Sequence, residues 1–407
     1  MRVLSILLAA AALLSKRPVQ SSDVPAALQQ YLPADNFGAL VRWIDRDTAQ
    51  RERLGEEEHL AYFILQSGVF TKRPKIEPAI SARQFVENLS SAAPPPDVRA
   101  RMEDFLVALR RPTVDERLSY WKSHLGVERR SLAVLDAAYT SAMRFLYQKE
   151  FLASDGNLYQ RRGHSVDTQV EANYAVSTAL AVIRELDPAA RLERVLIVGP
   201  GLDFAPRTGL RDELPPQSYQ PYLTADSLLR WKLADPGRLA IQCVDISPQV
   251  VDFIEGFARR EKPALKMLAG GGDPDYQEYF REAGRRIGVT EEQTWGRTIL
   301  LRKELAARVR AERLNILTER YDPSPAFDLV IATNVLVYFS PTELALALAN
   351  IHSMMRPGGY FVHNELRPEV EAIGKMLHMP PIQGRTLQIT QGAKRPLLDA
   401  FVIHRTR

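Results

Sequence analysis

Residues 194–207 read RVLIVGPGLDFAPR: an apolar run from Val195 to Val198 that breaks into Gly199-Pro200-Gly201 and then an aspartate, Asp203. A short apolar run bounded by glycines is the pattern of a strand buried on both faces, as in a parallel sheet. Small residues after it let the backbone turn sharply and come close to a ligand at the strand's carboxyl end. As a dinucleotide loop the stretch is incomplete. The third small residue would fall at position 204, which is Phe204, and the acid that should follow about 20 residues on is missing.

Working outward toward the C-terminus, strands alternate with helices. RLAIQCVDI (238–246) predicts a second strand, RTILL (297–301) a third, FDLVIATNV (327–335) a fourth and GYFVHNE (359–365) a fifth. Between them, 222–234, 247–260 and 341–355 have helical spacing, the second opening on Ser247-Pro248, a cap and an N1 proline. TLQIT (386–390) and LLDAFVIHR (397–405) are joined by too few residues for a parallel crossover, so they form an antiparallel pair. The pattern predicts an α/β fold: a doubly wound, mostly parallel seven-stranded sheet closed by a C-terminal antiparallel hairpin.

Toward the N-terminus the grammar is helical. Segments such as EEEHLAYFILQSGVF and SLAVLDAAYTSAMRFLYQKEFL place apolar residues at helical spacing, and the proline-rich 90–98 breaks the series. The expected organisation is therefore a mainly helical domain over 22–190 and a sheet domain over 191–407. Residues 1–21 stand apart. The apolar stretch Val3–Leu14 is too short to span a bilayer but fits the core of an export signal, with Val19-Gln20-Ser21 as a cleavage site. Lys16 and Arg17 oppose export, and an apolar helix packed on the body is the alternative; export is slightly favoured.

The 407 residues carry 53 basic and 49 acidic side chains, a mixed surface without the basic runs that mark a nucleic-acid binder. The single cysteine, Cys243, rules out an internal disulfide framework and a cysteine-rich metal site. No Ser-His-Asp set, HExxH motif or cysteine nucleophile stands out.

Ligands of doubly wound sheets bind at the carboxyl ends of the strands. The predicted strand ends offer Gly199, Gly201 and Asp203; then Asp245, whose carboxylate can accept both hydroxyls of a ribose; then Thr333, Asn334 and Tyr338; then Asn364 and Glu365. Each also has a plainer reading. In it the glycines serve only the turn, Asp245 caps the next helix, Tyr338 belongs to the core, and His164, a candidate base ahead of the sheet, is structural.

The order GPG, VDIS, FDLVIATNVLVYF and MMRPGGYFVHNE resembles the class I S-adenosylmethionine-dependent methyltransferases over about residues 190–407. FDLVIATNVLVYFSPTELALALANI is especially similar to the corresponding segment of the chemotaxis-receptor methyltransferases. The resemblance implies S-adenosylmethionine as cofactor, with Gly199 and Gly201 against its methionine part and Asp245 on its ribose. It implies Asn315 and Ile316 at adenine and Asn334 on the sulfonium side. Two positions depart from the pattern: Ile197 stands where the first strand usually has an acid, and Asp203 where a third glycine is usual. Asp203 is counted with the cofactor residues as a replacement carboxylate. Asp245 also follows Gly199 at more than twice the spacing of a dinucleotide fingerprint. The excess, together with 261–295, is expected to form loops over the cleft that select the substrate.

The expected function is methyl transfer to an acceptor, small molecule or peptide, that the sequence does not specify. The alternatives are a catalytically silent protein of the same fold and, less favoured, a nicotinamide-dependent oxidoreductase. No catalytic residue, metal site, nucleic-acid partner or oligomeric state is implied.

Overall fold

Val195, Leu196 and Ile197 have no accessible surface, because their strand lies inside a sheet covered on both faces. The computed structural model describes residues 15–33, 36–87, 94–152, 158–166, 170–203, 214–268, 272–322, 326–390 and 396–407. Among these, the main sheet is built from β1 (Arg194–Val198), β2 (Ala240–Asp245), β3 (Val309–Arg313), β4 (Phe327–Ala332), β5 (Met355–His363), β6 (Pro381–Gln388) and β7 (Leu398–Arg405). Their order is β6-β7-β5-β4-β1-β2-β3. The run from β5 to β3 is parallel, and β7 is antiparallel to both β5 and β6. This is the expected doubly wound sheet with its terminal hairpin, and the strand order reverses between β1 and β4, which is where such sheets hold ligands.

Two expectations about strands are corrected. RTILL lies in Gly296–Leu301, which pairs antiparallel with Ala264–Leu268 and Gly288–Gln293 in a separate three-stranded sheet. The place expected for it in the main sheet is taken by β3, VRAER, an edge strand too polar to read as a buried one. The 261–295 insertion is also no simple loop, since it contains Ala264–Leu268, the helix Pro274–Glu282 and Gly288–Gln293. Of the first insertion, 204–213 lies outside the described residues; Gln217, Ser218 and Tyr219 are buried.

Helix termini follow their local chemistry. The helix Pro341–Met354 opens on a capping box, with the Ser340 hydroxyl receiving the Glu343 N–H and the Glu343 carboxylate receiving the Ser340 N–H. Ser340→Ala is expected to lower stability by about 1 kcal/mol, read as a lower urea midpoint with an unchanged slope.

The helical region consists of α1 (Phe37–Gln66), α2 (Pro78–Glu87), α3 (Pro96–Leu109), α4 (Glu116–His124) and α5 (Leu132–Phe151). Its own core includes Phe63, Ile64, Phe105, Trp121 and Tyr139. The next helix, Val170–Leu186, was grouped by sequence with this region but packs Val176, Leu180 and Ile183 into the core under β1 and β2. The start of the described chain also lies on the sheet side. Lys16–Pro18 pairs antiparallel with Glu319–Tyr321, Arg17 bridges Asp23 and Asp322, and Val24 and Leu28 bury with the helix Pro341–Met354. The apolar stretch Val3–Leu14 lies outside the described residues. Val19, in the expected cleavage site, is buried and donates its N–H to the Thr318 carbonyl at 2.8 Å.

Candidate functional site

The turn after β1 holds Gly199 and Gly201 at φ of +66° and +65°, conformations that strongly favour glycine. A Cβ on Gly199 would lie 2.5 Å from the Val335 side chain, so the turn is also tight in space. Beside it, Asp245 ends β2. Its carboxylate accepts the Ser247 N–H at 2.9 Å and interacts with the Gly201 and Ile246 amides. The helix-turn role and the place at the strand end are therefore combined in one residue. Burial pushes Asp245 up to about 6, against the lowering effect of those amides.

These residues line a cleft at the carboxyl ends of β1, β2 and β4. Its volume is about 750 Å³, counting space open at the mouth. Gly199, Gly201, Asp245, Asn315, Ile316 and Asn334 all face it. Asn315 also stitches the cleft floor to α1: its side-chain N–H donates to Asp45 at 3.2 Å and to Thr48 at 3.4 Å. Asn334 takes a left-handed φ of +58°. Its N–H donates to the Asn364 side-chain oxygen and its own side-chain oxygen receives the Asn364 amide, each at 2.8 Å. This reciprocal pair ties the ends of β4 and β5.

Two expected residues, Asp203 and Glu365, lie elsewhere. Asp203 is not among the residues that line the cleft. It is buried, bridged through its backbone to Gln217, and accepts the Tyr219 N–H at 3.0 Å; burial raises its carboxyl well above the usual range. The chain returning at 217–219 turns this side chain inward, a contact that local sequence cannot reveal. Ile197, at the place of the usual acid, is part of the apolar core. Glu365 is engaged with Arg367, accepting its N–H at 3.0 Å.

The rest of the wall comes from the helical region, and sequence reasoning missed most of it. Thr48 and Glu52, one turn apart on α1, reach the cleft, as do His164, Ser165 and Val166 from the strap that follows α5. The strap crosses α1 where two glycines meet: a Cβ on Gly55 would lie 1.7 Å from the His164 carbonyl oxygen, and one on Gly163 would lie 2.3 Å from the Gly55 nitrogen. The buried Arg51 guanidinium holds the crossing together, donating to the carbonyls of Arg162, Tyr159 and Tyr338. Glu52 sits in RERLGEEEHL, which reads as an ordinary solvated charge run; only His164 carried a signal, as a lone histidine. Burial and the nearby Arg51 push His164 down to about 3. It is neutral near pH 7 and too weak to serve as a base there.

Strand order and switch point give a doubly wound, mostly parallel sheet with a ligand-sized cleft at the carboxyl ends of its central strands. Residues 282–377 match the family described as "CheR methyltransferase, SAM binding domain", a segment that includes Asn315, Ile316 and Asn334. The chain is similar to the chemotaxis protein methyltransferase of Escherichia coli (strain K12), 29% identical over 142 residues, covering 34% of this chain and 45% of the relative. It is similar in the same way to that of Vibrio anguillarum, 29% identical over 147 residues, covering 35% and 48%. The chain thus spans under half the length of these relatives. Among solved structures, the N-methyltransferase NodS from Bradyrhizobium japonicum WM9 in complex with S-adenosyl-L-homocysteine aligns at 14% identity over 56% of this chain and 85% of its own, with a TM-score of 0.29. The magnesium protoporphyrin IX methyltransferase ChlM from Synechocystis PCC 6803 with bound S-adenosylhomocysteine aligns at 10% identity over 58% and 84%, with a TM-score of 0.32. Among the described residues, no helix is long and apolar enough to cross a membrane, and no group of three or more His, Cys, Asp or Glu could hold a metal.

Proposed function

We propose that this chain binds S-adenosylmethionine in the cleft and transfers its methyl group to an acceptor. The observation that carries the reading is convergence. Six positions drawn from four separate stretches of sequence, Gly199, Gly201, Asp245, Asn315, Ile316 and Asn334, face one cleft at the switch point of the sheet. In this reading the glycine turn accommodates the methionine part, Asp245 accepts the ribose hydroxyls, Asn315 and Ile316 flank adenine, and Asn334 borders the sulfonium. The helical domain of 22–190 roofs the donor site of the sheet domain of 191–407, with Val170–Leu186 contributing to the sheet's core.

The chemistry fits a site without a base. Methyl transfer from a sulfonium is an in-line displacement with a good leaving group, so holding donor and acceptor in line accounts for most of the acceleration. Neutral His164 and the Asn334–Asn364 pair fit positioning roles. Isothermal titration tests the reading: S-adenosylhomocysteine is expected to bind and NAD to give no heat. The reverse result removes it.

A pH dependence follows from Asp245. Hydroxyl donors favour its charged form, whereas burial raises its carboxyl to about 6. Affinity for S-adenosylhomocysteine is therefore expected to fall as the pH drops from 8 through 6, measured by titration at fixed ionic strength. A flat profile would count against Asp245 as the ribose acceptor.

A further inference from the structure

We propose that Glu52, on α1, is a second carboxylate acceptor for the nucleoside part of the donor, working alongside Asp245. The inference rests on the S-adenosylmethionine reading and adds a residue from outside the sheet.

Glu52 lines the cleft and is half-buried, yet among the described residues it makes no hydrogen bond and no ion pair. Its neighbours are all committed. Thr48, one turn earlier, receives the Asn315 amide. Glu56, one turn later, is paired with His124 at 3.0 Å and Arg129 at 3.7 Å. Arg313, at the end of β3, donates to the Ile246 carbonyl at 3.0 Å. A carboxylate withdrawn from water without partners is costly, and the cleft wall contains no lysine or arginine among the described residues to offset it.

The groups facing Glu52 are known. Glu56 and Asp245 oppose its charge, while Arg313 and His124 support it; with burial the net effect raises it to about 7. What would satisfy two adjacent carboxylates is a ligand rich in hydrogen-bond donors. The nucleoside half of the donor offers a ribose diol and an exocyclic amine. Its place is set by Thr48 and Glu52, which stand at i and i+4 on one face of α1 and approach the side of the cleft formed by Asn315, Ile316 and Asp245.

The test is titration of the full-length protein with two probes, S-adenosylhomocysteine and 5′-methylthioadenosine, which lacks the amino-acid part. Glu52→Gln and Asp245→Asn are compared with wild type at pH 7.5. Glu52→Gln is expected to weaken both probes by about tenfold, the worth of a hydrogen bond to a charged group, while the melting temperature without ligand stays the same or rises, because an uncompensated charge is removed. Glu52→Ala should lower affinity at least as much. If Glu52→Gln binds like wild type while Asp245→Asn loses affinity, the role of Glu52 is overturned and the donor site stands. Loss confined to S-adenosylhomocysteine puts Glu52 at the methionine end, which also overturns the proposal. No binding of either probe to wild type overturns both readings.

Discussion

Asp245→Ala is expected to lower affinity for S-adenosylhomocysteine by about 100-fold or more. Two ribose hydroxyls on one buried carboxylate are each worth about 1.5–3 kcal/mol, and about 2.7 kcal/mol already corresponds to a factor of 100. The substitution also removes the acceptor of the Ser247 N–H and the partner of the Gly201 and Ile246 amides, so Asp245→Asn serves as the milder control. Unchanged affinity in both variants would remove the ribose assignment. Stability carries a second signature. Because burial raises this carboxyl from 3.8 to about 6 in the folded protein, its contribution is fully present below about pH 4 and is lost as the pH rises through 6. Without added ligand the protein thus grows less stable toward neutrality from this group, by an amount on the order of 2–3 kcal/mol. A ligand whose hydroxyls donate to the charged carboxylate offsets that loss, so the melting-temperature gain on adding S-adenosylhomocysteine should be larger at pH 8 than at pH 5.5.

Gly55→Ala tests the α1 crossing. On helix propensity alone the change would stabilise α1 by about 1 kcal/mol. Here the new methyl would lie 1.7 Å from the His164 carbonyl oxygen and 2.3 Å from its carbon, and backbone cannot rotate away as a side chain can. Overpacking against flexible neighbours costs about 1–3 kcal/mol, and a fixed backbone puts this site at or beyond the upper end. The expected net loss is about 2 kcal/mol or more, read from the urea midpoint. Displacing the strap also moves His164, Ser165 and Val166 in the cleft wall, so affinity for S-adenosylhomocysteine should fall with stability. A variant more stable than wild type would show that propensity wins and that the crossing is looser than its geometry.

The parts of the fold legible in the sequence are those with one dominant signal. β1 reads as an apolar run from Val195 to Val198, and β2 and β4 as mostly apolar ones, because both their faces are covered, and the short link between TLQIT and LLDAFVIHR requires an antiparallel pair. VRAER was invisible because an edge strand keeps its polar residues. RTILL was misplaced because an apolar run does not say which sheet it joins. The cleft shows the same limit. Residues that follow strands, such as Gly199, Asp245 and Asn334, could be located from topology. Glu52 and Thr48 reach the site by tertiary packing from a helix more than a hundred residues upstream, and Asp203 leaves it through a contact with Gln217 and Tyr219. Neither effect has a local signature.

The roof of the cleft is fastened along its length. Asp45 receives Asn315 and Thr318, Arg51 grips the Tyr338 carbonyl, the His164 N–H donates to the Arg51 carbonyl at 2.7 Å, and the Leu202 N–H donates to the Val166 carbonyl at 2.7 Å. A lid held at so many points cannot swing on one hinge. Exchange of a ligand in the cleft then depends on local opening, on the microsecond-to-millisecond scale of such motions, rather than on free diffusion. Residence time would be set by how often these fastenings release together, and weakening the Arg51 grip would speed both entry and departure of a ligand held there.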